Sequence, residues 1–178
     1  MNLIIKFNIF TIIMSTRGWF IFKYKGIYYV FYNQCDSYID IPYGLCSRLI
    51  EELKKYNIEQ LIELLENFIL LINGEGGEGD EDDEDDEDDG DEKSKDIYYE
   101  GIEQTLTNKN YAYQIMNTTE EIHKKDIFIE YKYIINLDEE LFTISDERKN
   151  IQLHYPLFNI PNDWYDFYCK VLDAYHSE

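Results

Sequence analysis

The most regular apolar pattern in the chain is a pair of short runs rich in aromatic and β-branched residues. The runs, residues 19–24 and 27–32, lie on either side of the dipeptide Lys25-Gly26. Such residues favour β-strands, and a glycine at the second turn position supplies the positive φ of a two-residue hairpin. The pattern therefore predicts a β-hairpin over residues 19–32.

A second β-rich stretch lies in the last third of the chain. Residues 127–137 alternate between apolar and polar side chains, and residues 140–145 follow after Asp138-Glu139. This spacing predicts a second antiparallel hairpin. The alternation in residues 151–157 predicts a further strand.

Three segments have the 3.6-residue periodicity of amphipathic helices. Apolar side chains recur on one face of residues 45–53, whereas in residues 58–72 they cover most of the circumference, which predicts a largely buried helix. The third segment, residues 163–175, begins with aspartates in the favourable first turn. A helical turn over 118–121 and a short strand over 97–99 are also predicted.

The order of these elements predicts an α+β fold. Helices are segregated from the hairpins, so we expect an antiparallel sheet with helices packed on its faces. With 178 residues the chain is long enough for one such domain, which we expect over residues 15–178.

The first 14 residues are predicted to be an N-terminal extension of the domain. Polar residues interrupt their apolar positions, and the run is much shorter than the roughly 20 residues that span a bilayer, so no membrane association is expected. Met14 is an alternative start, because a small residue at position 15 permits removal of the initiator methionine.

The net charge of −21 is concentrated in one low-complexity segment. Fourteen of the 37 acidic residues lie between Glu75 and Glu92, which leaves 23 acidic and 16 basic side chains, a net charge of −7, for the rest of the chain. Such dense like charge predicts a disordered loop over residues 74–95. No basic cluster is visible in the sequence, so direct binding to nucleic acid is not expected.

Cysteine and histidine usage predicts an intracellular protein without a metal site. Three cysteines are an odd number with no zinc-site spacing, which favours free thiols in a reducing compartment. The three histidines are scattered singly, and the contiguous acids do not match a calcium loop. The sequence has no glycine-rich phosphate loop, so neither a cofactor nor a metal is predicted.

Two motifs carry a resemblance to a known family. The stretch STRGWFIFKYKGIYYVFYNQCDSY at residues 15–38 and the later EYKYIINLDEELFTI at 130–144 resemble an uncharacterised family of giant DNA viruses and fungi. Its members begin Met-Cys-Thr-Arg-Gly and continue into Tyr-Asn-x-x-Asp-Ser-Tyr. The resemblance implies a viral protein located in the host cytoplasm or the virion, and it specifies no activity.

The same beginning is similar, more loosely, to N-terminal-nucleophile hydrolases of the choloylglycine type. In these enzymes an exposed Cys, Ser or Thr starts the first strand, and its own α-amino group is the base. The resemblance implies that Ser15 is the nucleophile, that Arg17, Asn33 and Asp36 lie near it, and that the Asn136 amide donates to an oxyanion.

The same residues also have a purely structural interpretation. Ser-Thr-Arg-Gly can begin a strand, and the Asn, Asp and Ser of residues 33–38 can form an Asx-type turn. Two functions are therefore expected as alternatives. The first is a domain that acts through protein–protein contacts, related to a hydrolase but degenerate, and the second is an amidohydrolase that uses Ser15.

Overall fold

The computed structural model describes residues 16–34, 36–39, 44–74, 101–107, 113–123 and 128–175, without the side chains at positions 119 and 123. The extension 1–14, Ser15, the predicted acidic loop beyond Gly74 and the predicted strand 97–99 lie outside these residues.

Within the described residues the chain forms six strands and five helices. The strands are β1 Gly18–Tyr24, β2 Ile27–Asn33, β3 Tyr113–Met116, β4 Tyr131–Asn136, β5 Leu141–Asp146 and β6 Ile151–Pro156. The helices are α1 Leu45–Leu53, α2 Ile58–Gly74, α3 Ile102–Thr107, α4 Thr119–His123 and α5 Trp164–Tyr175. None of the helices in these ranges is both long and apolar enough to cross a membrane.

The strands form one mixed sheet in the order β3-β2-β1-β4-β5-β6. The predicted α+β class and both predicted hairpins, β1–β2 and β4–β5, are confirmed. The sheet differs from the expected antiparallel one at its centre, where β1 and β4 pair in parallel. A parallel pair needs a long crossover, and the nearly 100 residues between β2 and β4 supply it.

The parallel pairing lets β4 stabilise the turn of the first hairpin. Lys25 and Gly26 both have positive φ, as a type I′ turn requires. The Asp138 carboxylate, just beyond the end of β4, accepts hydrogen bonds from the backbone N–H of Lys25 at 2.6 Å and of Gly26 at 2.9 Å. Asp138 therefore has a structural role that its place in the motif did not reveal.

The main core lies on one face of the sheet, which we call the first face. Side chains of β1 and β2 pack there against α1 and α2, and α5 covers the β6 side. The Phe31 ring stacks on Phe20 with centroids 4.9 Å apart and contacts Phe68 of α2 at 5.3 Å. The aromatic runs of the predicted hairpin thus supply the centre of the core.

The opposite, second face holds a smaller core and a row of buried polar groups. Ile122 of the short helix α4 packs there on side chains of β1, β2 and β4. Nearby, the Lys132 side chain is 1% exposed and donates from Nζ to the Ile122 carbonyl at 2.8 Å and to Glu147 Oε2 at 3.1 Å. Ile122 of α4 and the Lys132 side chain thus fill the part of this face that lies over β1, β2 and β4.

Candidate functional site

Three of the predicted site residues lie at the open end of the first hairpin. Gly18 pairs with Asn33 where β1 begins and β2 ends, so Arg17 and Asn33 lie at the same end of the sheet. Asp36 follows three residues after Asn33, and Ser37 N–H donates to the Thr16 carbonyl at 3.3 Å. Ser15, the predicted nucleophile, lies outside the described residues.

At this end, Asn33 and Ser37 form a buried hydrogen-bonded cluster with Tyr133, which we call the latch. The Asn33 amide donates to Ser37 Oγ at 2.7 Å, and Ser37 Oγ donates to the Asn33 carbonyl at 3.1 Å. The Tyr133 hydroxyl donates to the Ser37 carbonyl at 2.6 Å. Asn33 and Ser37 are fully buried, so the latch fixes the chain that leaves β2.

The charged groups at this end are less buried than the latch, with Arg17 half-buried and Asp36 exposed. Asp36 is exposed, has a left-handed φ of 57°, and accepts the Leu45 N–H on its carbonyl at 2.8 Å. The Arg17 guanidinium lies 5.9 Å from the centre of the Phe128 ring. The hydroxyl oxygen of Thr16 is buried and has no hydrogen-bond partner among the described residues.

Asn136 lies at the other end of the sheet. Its register partner on β1 is Lys23, five positions from Gly18, which corresponds to about 17 Å along a strand. Its Oδ1 accepts the Glu139 N–H at 3.2 Å. The structure therefore does not bring Asn136 together with Asn33, because β4 runs parallel to β1 and ends beside the hairpin turn.

Asn136 instead lines a polar groove on the second face, which sequence reasoning did not identify. The groove has a volume of about 250 Å³, and the polar or aromatic side chains that line it include Lys23, Tyr28, Asn136, Glu139, Thr143 and His154. Tyr28, Lys23 and Asn136 are register partners across β2, β1 and β4, and Thr143 pairs with His154 across β5 and β6. Only the strand register, which the sequence does not give, places these residues together.

Two side-chain hydrogen bonds organise the groove. Lys23 Nζ donates to Glu139 Oε1 at 2.9 Å, and this bond raises the pKa of the lysine and lowers the pKa of the glutamate. Thr143 Oγ1 lies 2.9 Å from His154 Nδ1. His154, which the sequence showed only as an isolated histidine, thus has a polar partner.

An ion pair between a buried lysine and a half-buried glutamate lies beside the groove on the same face. Glu147 Oε2 contacts Lys132 Nζ at 3.1 Å, and Glu147 Oε1 accepts from Ser145 Oγ at 2.7 Å. The Lys132 ammonium also lies 5.2 Å from the centre of the Trp19 ring. These contacts hold the lysine inside the fold, away from solvent.

A second concave site, lined by six apolar or aromatic residues and by the polar residues Lys54 and Asn159, lies near the helices. It has a volume of about 290 Å³ and lies between the segment that joins α1 to α2 and the segment that joins β6 to α5. Its apolar lining is Ile50, Leu53, Tyr56, Leu157, Phe158 and Ile160. We call it the apolar pocket, and Lys54 is the charged residue in its lining.

The described residues offer little for thiol or metal chemistry. Cys46 and Cys169 are free, and burial raises the pKa of the Cys46 thiol well above its ordinary value. In the described part of the chain no group of three or more His, Cys, Asp or Glu side chains could hold a metal ion.

Known proteins provide neither a family nor a related fold for this chain. Comparisons with models of protein families, with curated proteins and with solved structures found no match to the chain.

Proposed function

We propose that this domain acts through protein–protein contacts and that the apolar pocket is its docking site. The carrying observation is the exposure of Phe158, a large apolar side chain that is 44% exposed and lines the pocket with five other apolar or aromatic residues. Aromatic side chains that become buried in a partner's pocket on binding are typical of the residues that dominate binding energy in protein interfaces. The occupant is a large apolar side chain of the partner.

The net charge of the chain indicates which residues of the partner lie next to its large apolar side chain. The net charge of −21 favours association with a basic surface. Lys54, at the pocket, is already paired with Glu51 at 2.7 Å, and Glu59 and Glu63 are exposed on the neighbouring α2. We therefore propose a partner segment that carries basic residues on both sides of one large apolar residue.

The contacts of the motif residues support binding over catalysis. The Asn33 amide donates to Ser37 inside the latch, and Asn136 lies about 17 Å away along the sheet. A hydrolase needs its donors aimed at one developing oxyanion. We therefore propose a hydrolase-like but degenerate domain. We also propose that it is located inside the cell, in the host cytoplasm or in the virion.

A random-peptide display library selected on the purified protein tests the docking proposal. We expect enrichment of peptides with basic residues around one aromatic or large aliphatic residue. Phe158→Ser should weaken their binding at least tenfold, about 1.4 kcal/mol. Phe167→Ser is the matched control, because Phe167 is 51% exposed on α5 and does not line the pocket.

Two results would contradict the docking proposal. One is binding that both serine variants weaken equally, since the pocket would then not be the contact. The other is enrichment of acidic peptides, since the charge argument would then be wrong.

The second candidate function is an amidohydrolase with Ser15 as an N-terminal nucleophile. It is favoured by one observation: Arg17, Asn33 and Asp36 lie at the end of the sheet where the chain enters β1. In this mechanism the free α-amino group of Ser15 takes the proton of its own hydroxyl, which attacks an amide.

Intact-mass measurement of protein made from its native transcript tests this candidate. A chain that keeps residues 1–14 has no α-amino group at Ser15, which excludes the mechanism. If Ser15 is the N-terminus, Ser15→Ala must abolish any amidase activity that the protein shows.

A further inference from the structure

We propose that the polar groove on the second face binds a neutral polyhydroxylated small molecule, about the size of one monosaccharide. The groove lies on the opposite side of the sheet from the helices that form the apolar pocket. This inference therefore does not depend on the docking proposal.

The first argument is the burial of polar side chains at strand positions that alternate with the main core. Asn136 is 8% exposed and Thr143 is 6% exposed, and both line the groove. Burial of an amide or a hydroxyl is costly unless each group has a hydrogen-bond partner. Within the described residues both groups are held by protein partners, Asn136 Oδ1 by the Glu139 N–H at 3.2 Å and Thr143 Oγ1 by His154 Nδ1 at 2.9 Å. A ligand would therefore meet polar groups that are already fixed in orientation, together with the exposed edge of the His154 ring.

The charges in the groove select against ionic ligands. An anion would meet the Glu139 carboxylate in a protein that already carries a net charge of −21. A cation would have to displace Lys23, whose ammonium lies 2.9 Å from Glu139 and 5.8 Å from the centre of the Tyr28 ring. A hydroxyl group can instead accept from Lys23 and donate to Glu139, because it has both a proton and lone pairs.

The size and the floor of the groove agree with a sugar ring. Its volume of about 250 Å³ is below the roughly 300–1,000 Å³ of sites for drug-sized ligands. Ile134, Leu141 and the Tyr28 ring give it an apolar part, against which the C–H groups of a sugar can pack. Gln152 and His154 on the exposed edge strand add further hydrogen-bonding groups.

Titration of the full-length protein with sugars, followed by amide chemical shifts, tests the proposal. The probes are glucose, galactose, mannose and ribose, with glucuronate and glucosamine as charged analogues. At least one neutral sugar should give saturable shifts centred on residues 136, 143 and 154, with a Kd on the order of 1 mM, as befits about 12 heavy atoms.

Two variants and a matched control identify the site. His154→Ala and Glu139→Gln change exposed side chains and should keep the fold, and each should weaken binding about tenfold through the loss of one or two hydrogen bonds. Glu59→Gln, an equal change of charge on exposed α2, should leave binding unchanged.

The proposal is overturned by any of three results. These are the absence of saturable shifts with every neutral sugar, tighter binding of either charged analogue than of the neutral sugars, and equal weakening by Glu59→Gln and Glu139→Gln. The loss of peptide binding in Phe158→Ser bears only on the docking proposal, so the two failures are distinguishable.

Discussion

Gly18 lies so close to Ser37 of the latch that a larger residue at position 18 would not fit without a shift of the chain. A Cβ at this position would lie 2.7 Å from Ser37 Cβ and 3.1 Å from the Tyr131 carbonyl oxygen. Contacts this short force the neighbouring chain to move, which costs about 1–3 kcal/mol in a packed interior. The glycine of the Thr-Arg-Gly motif is thus explained by packing.

Gly18→Ala should lower the free energy of unfolding by about 1–3 kcal/mol, measured by urea denaturation. Gly74→Ala is the control, because Gly74 is exposed and a Cβ there meets nothing within 4 Å. Ser37→Gly in the Gly18→Ala background should relieve part of the clash. A Gly18→Ala protein as stable as the wild type would show that the latch moves to accommodate the Cβ without lowering the free energy of unfolding.

Asp146 is a buried carboxylate whose ionisation opposes folding. Burial raises its pKa, while the hydrogen bonds from the Tyr168 hydroxyl and from the backbone N–H groups of Lys149 and Arg148 act in the opposite direction. A folded-state pKa above the unfolded value means that the contribution of Asp146 to stability is fully present below the unfolded pKa. It is lost as the pH rises through the folded-state pKa.

Asp146→Asn removes this titration and keeps the shape of the side chain. The stability of the variant relative to the wild type should therefore increase as the pH rises from about 3 to about 7, most steeply just above the ordinary aspartate pKa of about 3.9. Urea denaturation at a series of pH values measures the difference. The opposite slope would mean that the hydrogen bonds outweigh burial and that the pKa is lowered.

At the scale of elements, α4 is too short to be stable alone and depends on its contacts with the sheet. Isolated helices of fewer than about 12 residues are marginal in water, and α4 has five. Ile122 packs into the small core of the second face, and its carbonyl accepts from the buried Lys132 ammonium. The lysine therefore joins α4, β4 and Glu147.

Lys132→Met should loosen α4, since it keeps the aliphatic stem and removes the ammonium. We expect a loss of about 1–3 kcal/mol, because Glu147 and the Ile122 carbonyl lose their donor. Hydrogen exchange should quicken at residues 119–123. A double-mutant cycle with Glu147→Gln should give a coupling of at least about 0.5 kcal/mol.

The exposed pair Lys54–Glu51 provides the comparison for this cycle. Both of its side chains are about half exposed or more, and such pairs contribute only about 0–1 kcal/mol. A Lys54→Met, Glu51→Gln cycle should therefore give a coupling near zero. Equal coupling in the two cycles would show that Lys132 contributes no more than a surface lysine.

The elements differ in how far the sequence predicted them. The hairpins, α1, α2 and α5 have strong local patterns that predict them, whereas α3 and β3 have only six and four residues and no clear periodicity. The predicted extent of burial of α2 is wrong, because only Leu61, Leu65 and Phe68 are buried in it and Leu70 is 70% exposed. The parallel pairing of β1 and β4 joins residues more than 100 positions apart, and no local pattern encodes it. The groove and the position of Asn136 both follow from that pairing, so sequence reasoning missed the groove and placed Asn136 at the wrong end of the sheet.

At the scale of the whole molecule, the acidic run divides the chain between α2 and α3. A Cβ at Gly101, just before α3, would lie 3.5 Å from the carboxylate of Glu52 on α1, and the run leaves from Gly74 at the C-terminal end of α2. A helix of 17 residues is about 25 Å long. A deletion of residues 76–92 leaves nine residues between Gly74 and Gly101, and nine residues span at most about 30 Å. Because so short a connection could itself strain the fold, a substitution of equal length is the cleaner test.

Replacement of residues 75–92 by a Gly/Ser sequence of equal length should leave the thermal midpoint nearly unchanged in high salt. The length of the connection stays the same, so the entropy of loop closure does not change. In low salt the variant should be slightly more stable than the wild type, because 14 negative charges are removed from a chain of net charge −21 and their mutual repulsion is lost. A marked loss of stability, largest in low salt, would show instead that the run binds a basic surface of this domain, and the acidic segment would then be part of the folded structure.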